Sequence, residues 1–272
     1  DYFDMLGILS QSDFPMFGSM RRNQFDEGIR QVREMERLLR SHPSCVVTSY
    51  MNEPFPNGDS KPHRNLDFEE QRAWYDMADL VVRQANPDRV IKAVDGDYDP
   101  PSPGISDRHC YNLWYGNHGI DFGKFHRGYW QVSKRDWLHG CGEYGVEALD
   151  SRDVMEAHYP EEWMAARDDD GNWLPDPIPK NQTYKFHHLW YETPRGGVDA
   201  WVSKSQSFQG FALRHIVETF RRDNDCNTCA VHLFIDAFPS GWMKTIMDVH
   251  RKPKGGYFAV REAFAPIAVS LR

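Results

Sequence analysis

The chain has 272 residues, a formal net charge of −8 at pH 7 and a sequence pI of about 5.8. Apolar residues make up 40% of it and charged residues 26%, which is typical of a globular protein and excludes a disordered or collagen-like chain. The acidic excess and the lack of a Lys/Arg tract argue against a nucleic-acid binder, and no apolar run approaches the roughly 20 residues of a membrane span.

Short apolar strands alternate with helices along the sequence. The first apolar run, residues 6–14, predicts a strand that ends in polar groups. Apolar residues at helical spacing predict an amphipathic helix over residues 25–42. The same criteria predict strands at 45–51, 89–94, 107–115, 137–143 and 229–236, and helices at 67–85, 199–222 and 256–264. A polar, proline-rich stretch at 165–182 predicts a long loop within an insertion at about 146–198.

This order of elements predicts an α/β fold. Near-continuous apolar strands separated by helices indicate a parallel sheet that is covered on both faces. Polar and aromatic residues gather at the carboxyl ends of these strands, where an eight-stranded β/α barrel builds its active site. We therefore expect a (β/α)8 TIM barrel. An open doubly wound sheet is the alternative, although no strand is followed by a glycine-rich phosphate loop.

The metal-ligating residue types form no convincing site in the sequence. Five cysteines are an odd number for a disulfide framework, and Cys226-Asn-Thr-Cys229 is a lone C-x-x-C without further ligands at a suitable spacing. His187-His188 has no partner at helical ligand spacing, and the acidic run from Asp168 lacks the Glu that closes a calcium loop. We therefore expect neither a metal site nor a cofactor.

Two glutamates stand at the ends of predicted strands. Glu53 ends one strand in Tyr50-Met-Asn-Glu-Pro54, and Glu143 ends another in Cys141-Gly-Glu-Tyr-Gly145. Carboxylates on different strands of a closed barrel can face each other across its mouth. Glycoside hydrolysis needs such a pair, one to protonate the leaving oxygen and one to attack the anomeric carbon or activate water. The alternative interpretation of each glutamate is a solvated loop acid.

Six motifs follow one another in order over nearly the whole chain. They are Tyr2–Ile8 with Asp13-Phe14, His42–Ser44, Asn52–Pro54, Asp107–Gly116, Gly142–Gly145, and Asp236–Pro239 with Trp242 and Arg251–Gly255. Together they resemble the third, fourth, sixth, seventh and eighth strands of the catalytic barrel in the family 2 glycoside hydrolases. That family includes β-galactosidases, β-glucuronidases and β-mannosidases.

The resemblance also predicts a domain organisation. Residues 1–272 would form one TIM-barrel catalytic domain in which the family's third to eighth strands are visible. The first two β/α units and the flanking β-sandwich domains of the family are not recognisable, so we expect this chain to be a segment of a longer enzyme.

The resemblance implies a retaining exo-β-glycosidase with Glu143 as nucleophile and Glu53 as acid/base. Further substrate contacts are expected at Asn52 (to the sugar 2-hydroxyl), Asp13, His109, Tyr111, Trp114, Tyr115 and Trp242. Tyr115 is the first candidate to hydrogen-bond the nucleophile, and Tyr111 is its competitor. An endo-acting β-mannanase or cellulase of the same clan and a carbohydrate-binding pseudoenzyme are the alternatives.

The expected partner is an oligo- or polysaccharide, with no nucleic acid and no membrane, and the sequence leaves self-assembly open. The sequence does not identify the sugar. A uronic acid would need a cation near the reacting centre, and the candidates for it are Lys204, Lys244 and Arg251.

Overall fold

The computed structural model describes residues 1–54, 63–96, 106–107, 109–111, 139–178, 192–223, 226–239 and 244–270. Its helices are α1 (Tyr2–Leu6), α2 (Phe25–Leu39), α3 (Phe68–Ala85), α4 (Arg152–His158), α5 (Glu161–Ala165), α6 (Val198–Arg222) and α7 (Gly255–Ala263). Its strands are β1 (Ser10–Asp13), β2 (Cys45–Ser49), β3 (Met51–Asn52), β4 (Val90–Ile91), β5 (Val94–Asp95), β6 (Ser106–Asp107), β7 (His139–Tyr144) and β8 (Cys226–Val231).

The strands form small parallel sheets. Their orders are β1-β2-β4, β3-β5 and β6-β7-β8. Pairing is parallel between β1 and β2, β2 and β4, β3 and β5, and β6 and β7. In these registers Asp13 lies opposite Ser49, and Asn52 lies opposite Asp95. The polar carboxyl ends of neighbouring strands therefore lie at the same edge of each sheet.

The predicted TIM barrel is wrong. Within the described residues no sheet has more than three strands and none closes on itself. A closed barrel requires every strand to pair on both sides, whereas β3, β4, β5 and β6 are only two residues long. The prediction treats 45–51 and 89–94 as single strands, but the first is divided into β2 and β3 and the second into β4 and β5.

The long helices form where the hydrophobic periodicity predicts them. The predicted starts and ends of α2, α3, α6 and α7 differ from the observed ones by at most three residues. A capping box begins α3: the Asp67 carboxylate accepts the Glu70 N–H at 2.9 Å, and the Glu70 carboxylate accepts the Asp67 N–H at 2.9 Å. In contrast, the predicted first strand is confined to β1 and is preceded by the short helix α1. Among the described helices, none is both long enough and apolar enough to cross a membrane.

The chain divides into two compact units. Unit 1 comprises residues 1–109 and 131–142, and unit 2 comprises residues 110–130 and 143–272. In unit 1, α2 packs against α3. Trp74 lies fully buried between Phe14 and Tyr50, with ring centroids 6.1 and 5.8 Å away. In unit 2, α6 packs along α7, and a second core forms around Trp173 and Trp201.

A buried ion pair connects α2 to Arg89, the residue before β4, and a hydrogen bond connects the same carboxylate to β2. The Glu36 carboxylate accepts hydrogen bonds from Arg89 Nε at 3.1 Å and from the Thr48 hydroxyl at 2.5 Å. The side chains of Glu36 and Arg89 are 0% and 2% exposed. Both charged groups have lost their hydrating water. Removing one partner is therefore strongly destabilising, because the other charge stays buried without compensation.

We expect Glu36→Ala to lower the free energy of unfolding by about 3–5 kcal/mol, the usual cost of breaking a buried pair. Glu34→Ala is the matched control, because Glu34 pairs with Arg30 on the exposed face of the same helix. Its cost should stay below about 1 kcal/mol. Urea denaturation measures both values, and equal losses in the two variants would contradict a structural role for the buried pair.

Candidate active-site residues

Glu53 follows β3 directly and has an unusual backbone conformation. Its φ is 46°, in the left-handed region that residues other than glycine seldom adopt. Its N–H donates to the Asp95 carbonyl at 2.7 Å, and the N–H of the preceding Asn52 donates to the Met16 carbonyl at 2.8 Å. These bonds from neighbouring segments hold the strained turn in place. Strain of this kind is found preferentially at functional positions.

The Glu53 carboxyl is fixed by a buried imidazole of the same unit. His109 Nδ1 lies 2.8 Å from Glu53 Oε1. The His109 side chain is 2% exposed, whereas that of Glu53 is 19% exposed. Glu53 is therefore positioned from the protein side and still accessible to a ligand from the solvent side.

Gly96 makes this arrangement sterically feasible. It has a φ of +68°, and a Cβ at this position would lie 2.7–2.8 Å from the His109 ring atoms. A side chain here would therefore displace the imidazole from Glu53. Beside it, the buried Asp95 carboxylate forms an ion pair with Lys92 and accepts a hydrogen bond from Gln11 at 2.7 Å. Gln11 also donates to Asp13 at 2.7 Å.

In unit 2, Glu143 also has a buried ring as its partner. The Tyr111 hydroxyl donates to Glu143 Oε2, and His232 Nε2 lies 3.8 Å from the same oxygen. Tyr111 is buried, and the Glu143 side chain is 18% exposed. The Cys110 N–H donates to the Glu143 carbonyl at 2.8 Å, which aligns the two segments.

Two further residues define the surroundings of Tyr111. Lys244 is buried, and its Nζ lies 4.7 Å from the centroid of the Tyr111 ring, within cation–π range. Gly145 has no side chain, and a Cβ there would collide with the His232 carbonyl and lie 3.2 Å from the Tyr111 ring. The glycine thus allows Tyr111 and His232 to approach Glu143 together.

The structure places the predicted residues as follows. Glu53 and His109 are in contact in unit 1, where Asn52 is half-buried and Asp13 is exposed. Glu143 and Tyr111 are in contact in unit 2, where the Tyr111 hydroxyl is the hydrogen-bond donor. Trp114, Tyr115 and Trp242 lie outside the described residues. His232 was not predicted from sequence, since a histidine within the apolar run 229–236 is typical of an ordinary strand residue.

Several known proteins resemble this chain in sequence or in fold. No protein-family model matches the chain. It is 25% identical to β-mannosidase B of Thermothelomyces thermophilus, over the whole chain and 34% of that protein. It superposes on the β-D-mannosidase of Dictyoglomus thermophilum with a TM-score of 0.70 and 19% identity, covering 97% of this chain and 32% of that one.

A GH2 β-galacturonidase from Eisenbergiella tayi, solved with bound galacturonate, gives a TM-score of 0.63 at 16% identity, over 98% of this chain and 43% of that one. The relatives are thus named glycoside hydrolases. The chain spans about a third of the length of β-mannosidase B. The similarity to the two solved structures shows that it shares the fold of a part of each.

Asp236, in one of the recognised motifs, is buried next to other charges of unit 2. Burial and the nearby Asp150 raise its pKa to about 6, although Lys254 and a hydrogen bond from Thr245 at 3.3 Å act in the opposite direction. Because the pKa is higher in the folded protein than in the unfolded chain, the folded protein loses stability as the pH rises from about 4 to about 6.

We therefore expect Asp236→Asn to raise the free energy of unfolding at pH 7.5 by about 1–2 kcal/mol more than at pH 4, after allowance for solvent screening. Asp169→Asn is the control, because it removes the same charge from an exposed position of unit 2. Urea denaturation at both pH values provides the test. A stabilisation by Asp236→Asn that is the same at both pH values would contradict the raised pKa.

Proposed function

We propose that this chain carries the catalytic residues of a retaining exo-β-glycosidase, which hydrolyses terminal β-linked sugars with Glu143 as nucleophile and Glu53 as acid/base. The observation that carries the proposal is the different partner of each glutamate: a histidine nitrogen at Glu53 and a phenol hydroxyl at Glu143. The similarity to parts of β-mannosidases and a β-galacturonidase supports it.

The histidine suits an acid/base because this role alternates between two protonation states. A carboxylic acid donates a hydrogen bond and a carboxylate accepts one. His109 Nδ1, at 2.8 Å from Glu53, serves either state, since an imidazole nitrogen accepts in one tautomer and donates in the other. Glu53 can therefore lose and regain its proton without losing its partner.

The tyrosine suits a nucleophile because this role requires a fixed carboxylate. The Tyr111 hydroxyl donates to Glu143 Oε2, which orients the carboxylate without transferring a charge to it. Lys244 lies over the face of the same ring and adds positive charge on this side.

In the proposed first step, a Glu143 oxygen attacks the anomeric carbon while the bond from that carbon to the leaving oxygen breaks, and Glu53 gives its proton to that oxygen. In the second step, Glu53 takes a proton from water, the water oxygen attacks the anomeric carbon and Glu143 is released. Two inversions give net retention. We assign the remaining sugar contacts to Asn52, Asp13, Trp114, Tyr115 and Trp242.

β-Mannosides are the proposed substrates, because two of the relatives are named β-mannosidases. β-Galacturonides are the second candidate. They are favoured by the buried cation Lys244 beside Tyr111 and by the galacturonate-bound relative. A panel of aryl β-glycosides separates the two, and Lys244→Met should reduce turnover of uronides far more than that of neutral sugars.

We expect Glu53→Gln and Glu143→Gly to lower kcat by about 10²-fold or more on 4-nitrophenyl glycosides. Azide should rescue both variants with opposite stereochemistry, because it replaces water in the first and the nucleophile in the second. Glu53→Gln should give the β-glycosyl azide and Glu143→Gly the α-glycosyl azide, as identified by proton NMR. Both this chain and the protein encoded by its complete reading frame should be assayed.

Glu156→Gln is the matched control, since Glu156 is an exposed carboxylate on α4 and its loss should leave kcat unchanged. If Glu53→Gln gave the α-glycosyl azide and Glu143→Gly the β-glycosyl azide, the two glutamates would have the opposite roles. Turnover of a β-glycoside to an α-configured first product would exclude the retaining mechanism. If the protein encoded by the complete reading frame bound a glycan tightly but did not turn it over, it would instead be a carbohydrate-binding pseudoenzyme.

A further inference from the structure

Two exposed histidines of unit 2, which take no part in the proposed mechanism, lie next to each other. His158 is the last residue of α4, and His250 lies in the turn between β8 and α7. Their Nε2 atoms are 3.2 Å apart. The ring centroids are separated by 5.3 Å and the ring planes are inclined by 36°. Both nitrogens therefore point into the same small volume at the surface.

The segments that carry the two histidines are connected to each other. Lys252 Nζ pairs with Asp153 Oδ2 at 2.6 Å, which joins the turn to α4. Within the turn, Asp248 Oδ1 accepts the N–H groups of His250 and Lys252 at 2.8 Å each. The convergence of the imidazoles thus rests on a fixed backbone and not on two long, mobile side chains.

The geometry points to a binding site for a first-row transition-metal ion, with His158 and His250 as its two protein ligands and water in the other positions. We propose Zn²⁺ as the ion. Two imidazole nitrogens bound to a tetrahedral zinc at 2.0–2.1 Å are roughly 3.3 Å apart, and the observed distance is 3.2 Å. Ca²⁺ and Mg²⁺ are not expected because they prefer oxygen ligands.

Binding of the ion requires only a change of tautomer. Without it, one ring donates its Nε2–H to the Nε2 lone pair of the other. With it, both rings carry their proton on Nδ1 and both Nε2 lone pairs face the metal. One feature favours the cation: His158 is the last residue of α4, at the carbonyl end, which is the negative end of the helix dipole. Zinc would then crosslink α4 to the turn.

Calorimetric titration of the tag-free chain with ZnCl₂ at pH 7.5 tests the site. We expect one Zn²⁺ per chain, with an affinity that falls at least tenfold in His158→Ala and likewise in His250→Ala. Both side chains are exposed, so these variants should retain the circular dichroism of the parent chain. The double variant His187→Ala/His188→Ala is the matched control and should bind Zn²⁺ normally.

Copper provides a second measurement that does not depend on affinity. The electron paramagnetic resonance spectrum of one bound Cu²⁺ should show coupling to two imidazole nitrogens, and to one nitrogen in either single variant. Undetectable zinc binding, unchanged affinity in His158→Ala or His250→Ala, or loss of binding in the His187/His188 variant would each overturn the proposal.

Discussion

The left-handed backbone at Glu53 is the constraint on which the arrangement of unit 1 depends. A residue with a side chain loses about 1–3 kcal/mol in this conformation, so it persists only where its surroundings enforce it. Here the Asp95 carbonyl accepts the Glu53 N–H, and the Asn52 carbonyl accepts the Gly18 N–H at 2.9 Å. The parallel pairing of β3 with β5 supplies the first of these contacts. The strand pairing thus directs the Glu53 carboxyl to His109.

The two glutamates lie in separate units, and each is positioned in the same way. In each case a glycine allows a buried ring to approach: Gly96 accommodates His109, and Gly145 accommodates Tyr111. Each glutamate side chain is still nearly one-fifth exposed. A rigid ring on the protein side and access on the other side are what a group needs if it must hold its geometry while bonds form and break. The chemical difference between the two rings is the basis on which we propose different roles for the two glutamates.

The sequence predicts helices better than sheets in this chain, for a physical reason. A helix is stabilised by its own hydrogen bonds and by a periodic apolar face, so α3 and α6 can be located from local pattern and from the Asp67 cap. A strand exists only through its neighbour. Whether the run 45–51 is one strand or two depends on partners from β1, β4 and β5, which no local pattern contains. The predicted barrel failed at this point.

The candidate site residues also differ in whether local sequence or only tertiary contact identifies them. Glu53 and Glu143 could be proposed as candidates from sequence because a carboxylate at the end of an apolar run is unusual. Tyr111 and Tyr115 could not be separated from sequence, since both belong to one aromatic stretch, and the contact of Tyr111 with Glu143 is seen only in the tertiary structure. The position of Lys244 against the Tyr111 ring has no local sequence signal either.

Covalent trapping is the sharpest experiment on Glu143 as the proposed nucleophile. The protein encoded by the complete reading frame would be incubated with a 2-deoxy-2-fluoro-β-glycosyl fluoride of the preferred sugar and digested, and its peptides would be sequenced by tandem mass spectrometry. If Glu143 is the nucleophile, the protein should gain one fluoroglycosyl group, located on Glu143, and lose activity in step with labelling. A label on Glu53, or inactivation with the label on any other residue, would contradict it.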